Sequence, residues 1–588
     1  MNHSIKVMKL EKILNPVTKN LRFFVFTLLL GIICTVSVLW NGSRVAGLIE
    51  LWLDLYCLCV LLMLIPEKAR GAVRAVMAFL LYALAVIDLG LYYTCGYPII
   101  SQAVLLFLKT NTSEAGEAFT TYVDASLLLT PWSLVVLLSL VHLLVFVRKP
   151  KIPDVSLSQK ARMTVSCLYL ASLLVCIPLT WVDKKYKFRR LVLQQNEMEL
   201  QQAEDLTPRS RFYLPVYRLA DACVEVKRQK HIYDILHENI SDFHADSCRY
   251  ASPEIVLVIG ESNNRNHFGL YGYDKPTTPH QDKWLEHGQM VAFDNAVSPW
   301  NTTCEALESI LSLSYEGDSK NWYERPFITS VLKNCGYETT FISNQYVTDK
   351  KNSFSAFIED IFINIPEVSK KQFDHRNRYI HRYDHEMLSE YDSIAGMQRG
   401  RCRFTIFHTH NAHFNFSERY PDAFNHFKTE DYNRPDLHPS DKAILAAYDN
   451  ALRYNDHVVN MIIERFVNRD AIIIYVADHG ERIFDGNDKY GRSLGFSESE
   501  VRQQHQVPLW FWASEQYIGK RPDIWDAVTK AKGKRYMTDL LPFTIIALAG
   551  IHTNMYKPSL DLLSEDYDDS RLRIIRKKKD YDTIVTEY

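Results

Sequence analysis

Three side chains able to share one cation, Glu261, Asp478 and His479, each stand at the end of a short unbroken aliphatic run. Two carboxylates and an imidazole suit a borderline-soft ion such as Zn2+, whereas a hard cation would use only the oxygens. The runs are EIVLVIG, from Glu254 to Gly260, and AIIIYVA, from Ala471 to Ala477. Taken singly, GES or DHG could be no more than a helix or turn start in which Ser262 or Asp478 caps exposed amides. Both motifs following such runs point instead to one shared site.

The runs have no polar alternation, so both faces must be covered, as in a parallel strand buried between helices. In open α/β sheets, ligands bind beyond the carboxyl ends of the strands, which is where these three residues would be delivered. Tyr337 to Ser343 (ending at Asn344 and Gln345), Cys402 to Phe407 (ending at His408) and Val507 to Trp512 predict further strands whose ends approach the same edge. Ala443 to Phe466 and Asp539 to Leu548 predict helices.

The 588-residue chain is 47% apolar, unevenly distributed. Residues 1–182 hold five runs near the length that crosses hydrocarbon: Leu21 to Trp40, Leu51 to Ile65 with Ile49 and its neighbours, Ala75 to Tyr93, Ser126 to Val147 and Val165 to Trp181. Lys and Arg cluster before the first run and between the second and third and the fourth and fifth. The positive-inside rule then places the N-terminus in the cytoplasm and everything after Trp181 outside. No small-residue cleavage pattern ends the first run, so it is read as a retained anchor. Asp54 is expected near the outer end of the second span, and Asp88 to pair within the bundle or face a polar cavity. The outer connection, 95–124, contains an apolar stretch too short to span, expected along the outer membrane face. It would leave Asn111 and Glu114 at headgroup level as contacts for a lipid-derived substrate.

After the bundle, 183–252 reads as a polar membrane-proximal linker, 253–552 as one α/β catalytic domain, and 553–588 as a C-terminal tail. Of the 11 cysteines, Cys95, Cys223, Cys248, Cys304, Cys335 and Cys402 fall on the outer side, and the sequence does not choose a pairing. A formal net charge of -2, with no basic patch carrying interleaved aromatics, excludes nucleic-acid binding.

GES, DHGE, RYP at Arg419 to Pro421 and YDNALRYNDHVV from Tyr448 to Val459 resemble the membrane-bound phosphoethanolamine transferases of the alkaline phosphatase and sulfatase superfamily. LYGY with TTP at Leu270 to Pro279 and FISNQ at Phe341 to Gln345 are most similar to the branch that modifies lipopolysaccharide core. The resemblance implies a five-helix transmembrane bundle in the bacterial inner membrane, joined to a periplasmic sulfatase-like domain. It implies transfer of phosphoethanolamine from phosphatidylethanolamine to an envelope glycan, lipopolysaccharide core or lipid A. It also implies a zinc-bound threonine nucleophile. In VSPWNTTCEALESIL that residue is matched to Thr303, with Thr302 as the rival, and Thr303 joins Glu261, Asp478 and His479 as a metal ligand. Of His408, His410 and His413, spacing to RYP selects His413 as the phosphate contact.

The sequence departs from the family in one place: no histidine stands about ten residues beyond DHG, in DHGERIFDGNDKYGRSLG. Lys489 or Arg492 could supply that positive charge to substrate, and His505 could arrive from farther along. The competing readings are a phosphoglycerol transferase of the same superfamily and a catalytically impaired homologue. A sulfatase would need Cys or Ser in a C/S-x-P-x-R context, and none follows the GES run.

Overall fold

A computed structural model describes residues 12–38, 43–95, 97–101, 103–104, 125–148, 159–195, 200, 208–239, 243, 245–345, 362–364, 366–486, 490–492 and 495–585. The chain forms two compact units, Met1–His231 and Ile232–Tyr588.

The first unit is built from helices α1 (Leu21–Ser37), α2 (Arg44–Met63), α3 (Glu67–Cys95), α4 (Pro131–Arg148) and α5 (Gln159–Lys187). Among the described residues four stretches, Arg44–Met63, Glu67–Thr94, Pro131–Arg148 and Lys160–Val192, are long and apolar enough to cross a membrane. Leu21–Ser37, apolar but 17 residues long, is shorter than that. Phe23, Leu30, Cys34, Leu62, Ala85, Leu89 and Val135 pack together inside, while Leu137, Leu144, Val147, Leu168 and Leu174 point outward. Apolar side chains facing both ways fit a bundle solvated by lipid.

Two of the carboxylates in these helices, Asp88 and Asp54, take partners from the segment that follows α5. Asp88 is fully buried and takes a bidentate contact from Arg218, at 2.9 and 2.5 Å. Asp88 Oδ1 also accepts the Ile99 amide at 3.0 Å. Asp54 accepts the hydroxyls of Tyr213 and Tyr217 at 2.6 and 2.7 Å and pairs with Lys184. Arg218 lies in α6, Pro215–Asn239, a helix within the stretch 183–252, and ties that helix to Asp88 by charge.

The second unit centres on a seven-stranded sheet of β1 (Glu254–Gly260), β2 (Met290–Ala292), β3 (Glu338–Ser343), β4 (His375–Arg376), β5 (Arg403–His408), β6 (Ala471–Ala477) and β7 (Leu509–Ala513). Its order is β2-β7-β6-β1-β5-β3-β4. All seven residues of β1 and of β6 are buried, as two-sided cover by helices requires. Ile255, Leu257 and Ile259 belong to one hydrophobic core and Val256 and Val258 to the other, following the period of two along a strand. The first core takes in α7 (Thr303–Leu311) and α9 (Leu541–Ala549); the second takes in α8 (Pro439–Glu464). Residues 553–585 pack onto this unit, burying Leu562, Ile575 and Tyr581.

One strand differs from expectation. β6, β1, β5 and β3 run parallel, but β7 is antiparallel to β6. Its carboxyl end therefore does not reach the functional edge. Its amino end does, carrying Gln504 and His505 there.

Candidate active site

Glu261 follows β1, Asp478 and His479 follow β6, and the three are fully buried with ligand atoms within 4.8 Å of one another. Backbone geometry holds the two strand ends together: the Asp478 amide donates to Gly260 O at 2.9 Å, and the Ser262 amide donates to Asp478 Oδ1 at 3.0 Å. Ser262 takes a left-handed conformation, φ 57°, which a non-glycine residue adopts only under external support. Tyr448 of α8 supplies that support, donating to Ser262 O at 2.8 Å while accepting the Asn264 amide at 2.8 Å. Gly480 is required by close approach, since a Cβ there would stand 2.1 Å from Gln503 O.

Thr303 is the first residue of α7, and its Oγ1 lies 3.1 Å from Glu261 Oε2 and 3.4 Å from His479 Nε2. The neighbouring Thr302 turns away, its hydroxyl donating to Glu305 Oε2 at 2.5 Å. Of the two threonines it is Thr303, the residue matched from sequence, whose hydroxyl faces the cluster. His479 Nδ1 meets Gly480 O at 2.7 Å and, facing a carbonyl, must carry the proton; Nε2 then presents its lone pair to the cluster.

The donor set fits a divalent cation on two further grounds. Asp478 Oδ2 is buried without a hydrogen-bond partner. Burial and the neighbouring Glu261 charge push the Asp478 carboxyl well above its usual range, the strain expected of two enclosed carboxylates. Burial acts against ionisation of Glu261 too, but His479, His413 and Arg492 outweigh it and hold that carboxyl low. Burial lowers His479 to about 4, keeping its imidazole neutral and able to ligate.

Polar groups from other strand ends surround this cluster. Gln345, beyond β3, donates to Glu261 Oε2 at 3.0 Å and to Thr409 O at 2.6 Å. Arg492 Nη2 approaches Glu261 Oε1 at 3.3 Å. His413 is half-buried, 4.9 Å in ring centroid from His410, with Nδ1 enclosed and unbonded. Burial lowers the His413 imidazole, with Glu261 pulling the other way. His408 is fully buried and bonded to Ser343 Oγ at 3.1 Å, a structural position. His505 is fully buried under the DHG turn, its Nδ1 donating to Ser298 O at 2.8 Å. Lys489, Asn111 and Glu114 lie outside the described residues.

Gln345, Ser262 and Asn411, which accepts the Glu261 amide at 3.0 Å, were not singled out as site residues from sequence. Their only sequence signal is position just past a buried strand. Conversely, the YDNALRYND run braces the site from behind. Asp449 accepts His267 at 2.7 Å together with Tyr273 and Tyr432, and Asp456 accepts the His280 and Gln281 amides.

The Sulfatase family model matches residues 253–551 of the chain, and the chain belongs to that family. Its domain is homologous to bacterial phosphoethanolamine transferases. The chain is 24% identical over 585 residues to the phosphoethanolamine transferase EptC of Escherichia coli strain K12, covering 96% of this chain and 95% of that one. It is 26% identical over 562 residues to the phosphoethanolamine transferase CptA of Salmonella typhimurium, covering 92% and 91%. The crystallised C-terminal periplasmic domain of EptC from Escherichia coli, in complex with Zn, superposes with a TM-score of 0.51 at 26% identity, over 58% of this chain and 96% of that one. The protein is a multi-pass membrane protein with a sulfatase-like catalytic domain in the periplasm.

Proposed function

We propose that this protein is an inner-membrane phosphoethanolamine transferase that takes its group from phosphatidylethanolamine and passes it to an envelope glycan, lipopolysaccharide core or lipid A. The observation that carries this reading is Thr303 Oγ1, at the start of α7, facing both Glu261 and His479 Nε2. The relatives named for phosphoethanolamine transfer, matched along nearly their whole length, supply the transferred group.

Glu261, Thr303, Asp478 and His479 would hold the metal, which we take to be zinc. Bound there, zinc supplies a Lewis acid that lowers the hydroxyl pKa and offsets negative charge on the transferring phosphoryl group. Thr303 Oγ1 attacks the lipid phosphorus; an oxygen–phosphorus bond forms, and the bond from phosphorus to the diacylglycerol oxygen breaks. The threonine proton leaves as the diacylglycerol oxygen gains one. In the second half an acceptor hydroxyl oxygen attacks the phosphorus of phosphoethanolamine-threonine; the acceptor oxygen–phosphorus bond forms, the phosphorus–Oγ1 bond breaks, and Oγ1 regains a proton as the acceptor hydroxyl loses one. Two-step transfer through a side-chain oxygen replaces one difficult displacement by two easier ones. His413 and Arg492 border Glu261 where phosphoryl oxygens would sit and are assigned to substrate, with Lys489 just before Arg492 in the chain. Asn111 and Glu114 are assigned to the lipid at the outer membrane face. The apolar Leu21–Ser37 helix is taken as the first of five spans, with Lys and Arg on the cytoplasmic connections.

Envelope glycolipid from a deletion strain, compared with its parent by intact mass spectrometry, should lack one phosphoethanolamine, restored by wild type and not by Thr303→Ala. Identical glycolipid masses in both strains would contradict the reading.

A further inference from the structure

Among the described residues of the catalytic unit, five large apolar side chains are more than half exposed: Tyr379, Ile380, Met397, Phe414 and Leu572. Three of them sit on two loops beside the candidate site: the first is bonded to Asn344, next to Gln345, and the second carries His413. Tyr379 (61%) and Ile380 (53%) lie in the sequence RYIHR from Arg378 to Arg382, between exposed arginines; Phe414 (59%) directly follows His413.

The two loops are held together at their base. His381 N donates to Asn344 Oδ1 at 2.6 Å, Asn344 Nδ2 donates to Asp384 Oδ1 at 2.9 Å, and Asp384 Oδ1 also accepts the His410 amide at 3.0 Å. Asn377 clasps the end of β3, accepting the Ser343 amide at 2.9 Å and donating to Ser343 O at 2.7 Å. Arg419 fixes the second loop through Phe414 O at 2.8 Å and His410 Nδ1 at 3.1 Å. The exposed tips are thus displayed on a braced base. Such a tip loses little entropy on insertion, because its backbone is already ordered.

We propose that the Arg378–Arg382 loop and Phe414 form a membrane-docking edge that seats the mouth of the site on a bilayer surface containing anionic phospholipid. The side chains match the two layers of that surface. Ile380 and Phe414 suit the acyl boundary, Tyr379 suits the interface where a polar tip stays wet, and Arg378 and Arg382 suit lipid phosphates. The proposal rests on the donor being a lipid, since docking then brings its phosphorus to Thr303 without full extraction into water. Asp384 and Asn344 act as positioning residues for the edge.

The test uses the full chain in nanodiscs of phosphatidylethanolamine and phosphatidylglycerol. A fluorescent amino acid placed at position 380 should be quenched by headgroup-proximal spin-labelled lipid, and one at position 572, at least as exposed but outside both loops, should not. Tyr379→Ser with Ile380→Ser should raise KM for bilayer donor about tenfold, the loss of two partly inserted apolar side chains, and leave turnover of a water-soluble short-chain phosphatidylethanolamine unchanged. Absence of quenching at 380, or equal quenching at 380 and 572, overturns the proposal. So does a KM change confined to acceptor, which would give these loops to the glycan. If wild type transferred from neither donor, the functional reading would fail, and the quenching would still decide the docking edge.

Discussion

His479 donates its Nδ1 proton to Gly480 O at 2.7 Å and turns Nε2 toward Thr303 Oγ1 at 3.4 Å. The first contact fixes the tautomer, and the second fixes what that tautomer faces. Gly480 has to be glycine for the turn to lie against Gln503, so an apparently bland residue of the DHG motif sets the aim of the ligand beside it.

Metal binding is the first expectation to follow. Asp478→Asn keeps an oxygen for the Ser262 and His479 amides but gives up a carboxylate ligand. Elemental analysis of the purified full chain should show zinc in wild type and little in this variant or in Glu261→Gln. Chelation should lower the wild-type Tm. In the metal-free state Asp478→Asn should be the more stable protein, because one of two enclosed like charges is gone. Full zinc occupancy in both variants would remove the site from these residues.

His267 should give the catalytic unit a pH-dependent brace. Burial alone would lower its pKa, but Asp485 and Asp449 on its two nitrogens raise it from 6.5 to about 10. A raised imidazole pKa contributes stability that is complete below 6.5 and is lost as pH climbs through about 10. Asp485 is held low, against its burial, by the same imidazolium, so its contribution fades only as pH falls through the acid range. Wild type should therefore lose denaturation midpoint between neutral pH and pH 10 more steeply than His267→Gln. Parallel pH profiles for the two proteins would contradict the assignment.

Much of this arrangement was legible in sequence, and the parts that were not have physical reasons. Buried strands such as EIVLVIG and AIIIYVA announce themselves, because two-sided cover admits only apolar residues. Glu261, Asp478 and His479 could then be placed by their position just past those strands. The direction of β7 could not, since a strand buried on both faces reads the same whichever way it runs. His505 consequently reaches the site from an amino end rather than a carboxyl end. Thr303 could be matched ahead of Thr302 through the family resemblance, but which way each hydroxyl points is not written along the chain. The roles of Gln345 and Asn411 depend on contacts with Glu261 across the sheet edge, invisible along the chain.

Asp88 and Arg218 form a fully enclosed ion pair in the membrane unit. Removing one partner leaves an enclosed charge, so Asp88→Ala should destabilise the full chain in detergent by roughly 3–5 kcal/mol. Asp88→Leu combined with Arg218→Met should recover most of that loss, because neither charge then remains uncompensated. Thermal melting of Asp88→Leu, Arg218→Met and the double variant, beside Asp88→Ala, is the readout. Additive losses in the double variant would show that the two residues do not act as a pair.

The central claim is that Thr303 carries the transferred group, and peptide mass spectrometry after incubation with headgroup-labelled phosphatidylethanolamine, before acceptor is added, tests it most directly. Label should appear on the peptide containing Thr303, with fragmentation placing it on that residue. Thr303→Ala should carry none and lose transfer by more than about 1000-fold; Thr303→Ser should retain part of both, and Thr302→Ala should stay within about threefold of wild type. Label on Thr302, or product formed with no labelled protein at any time, would contradict the account.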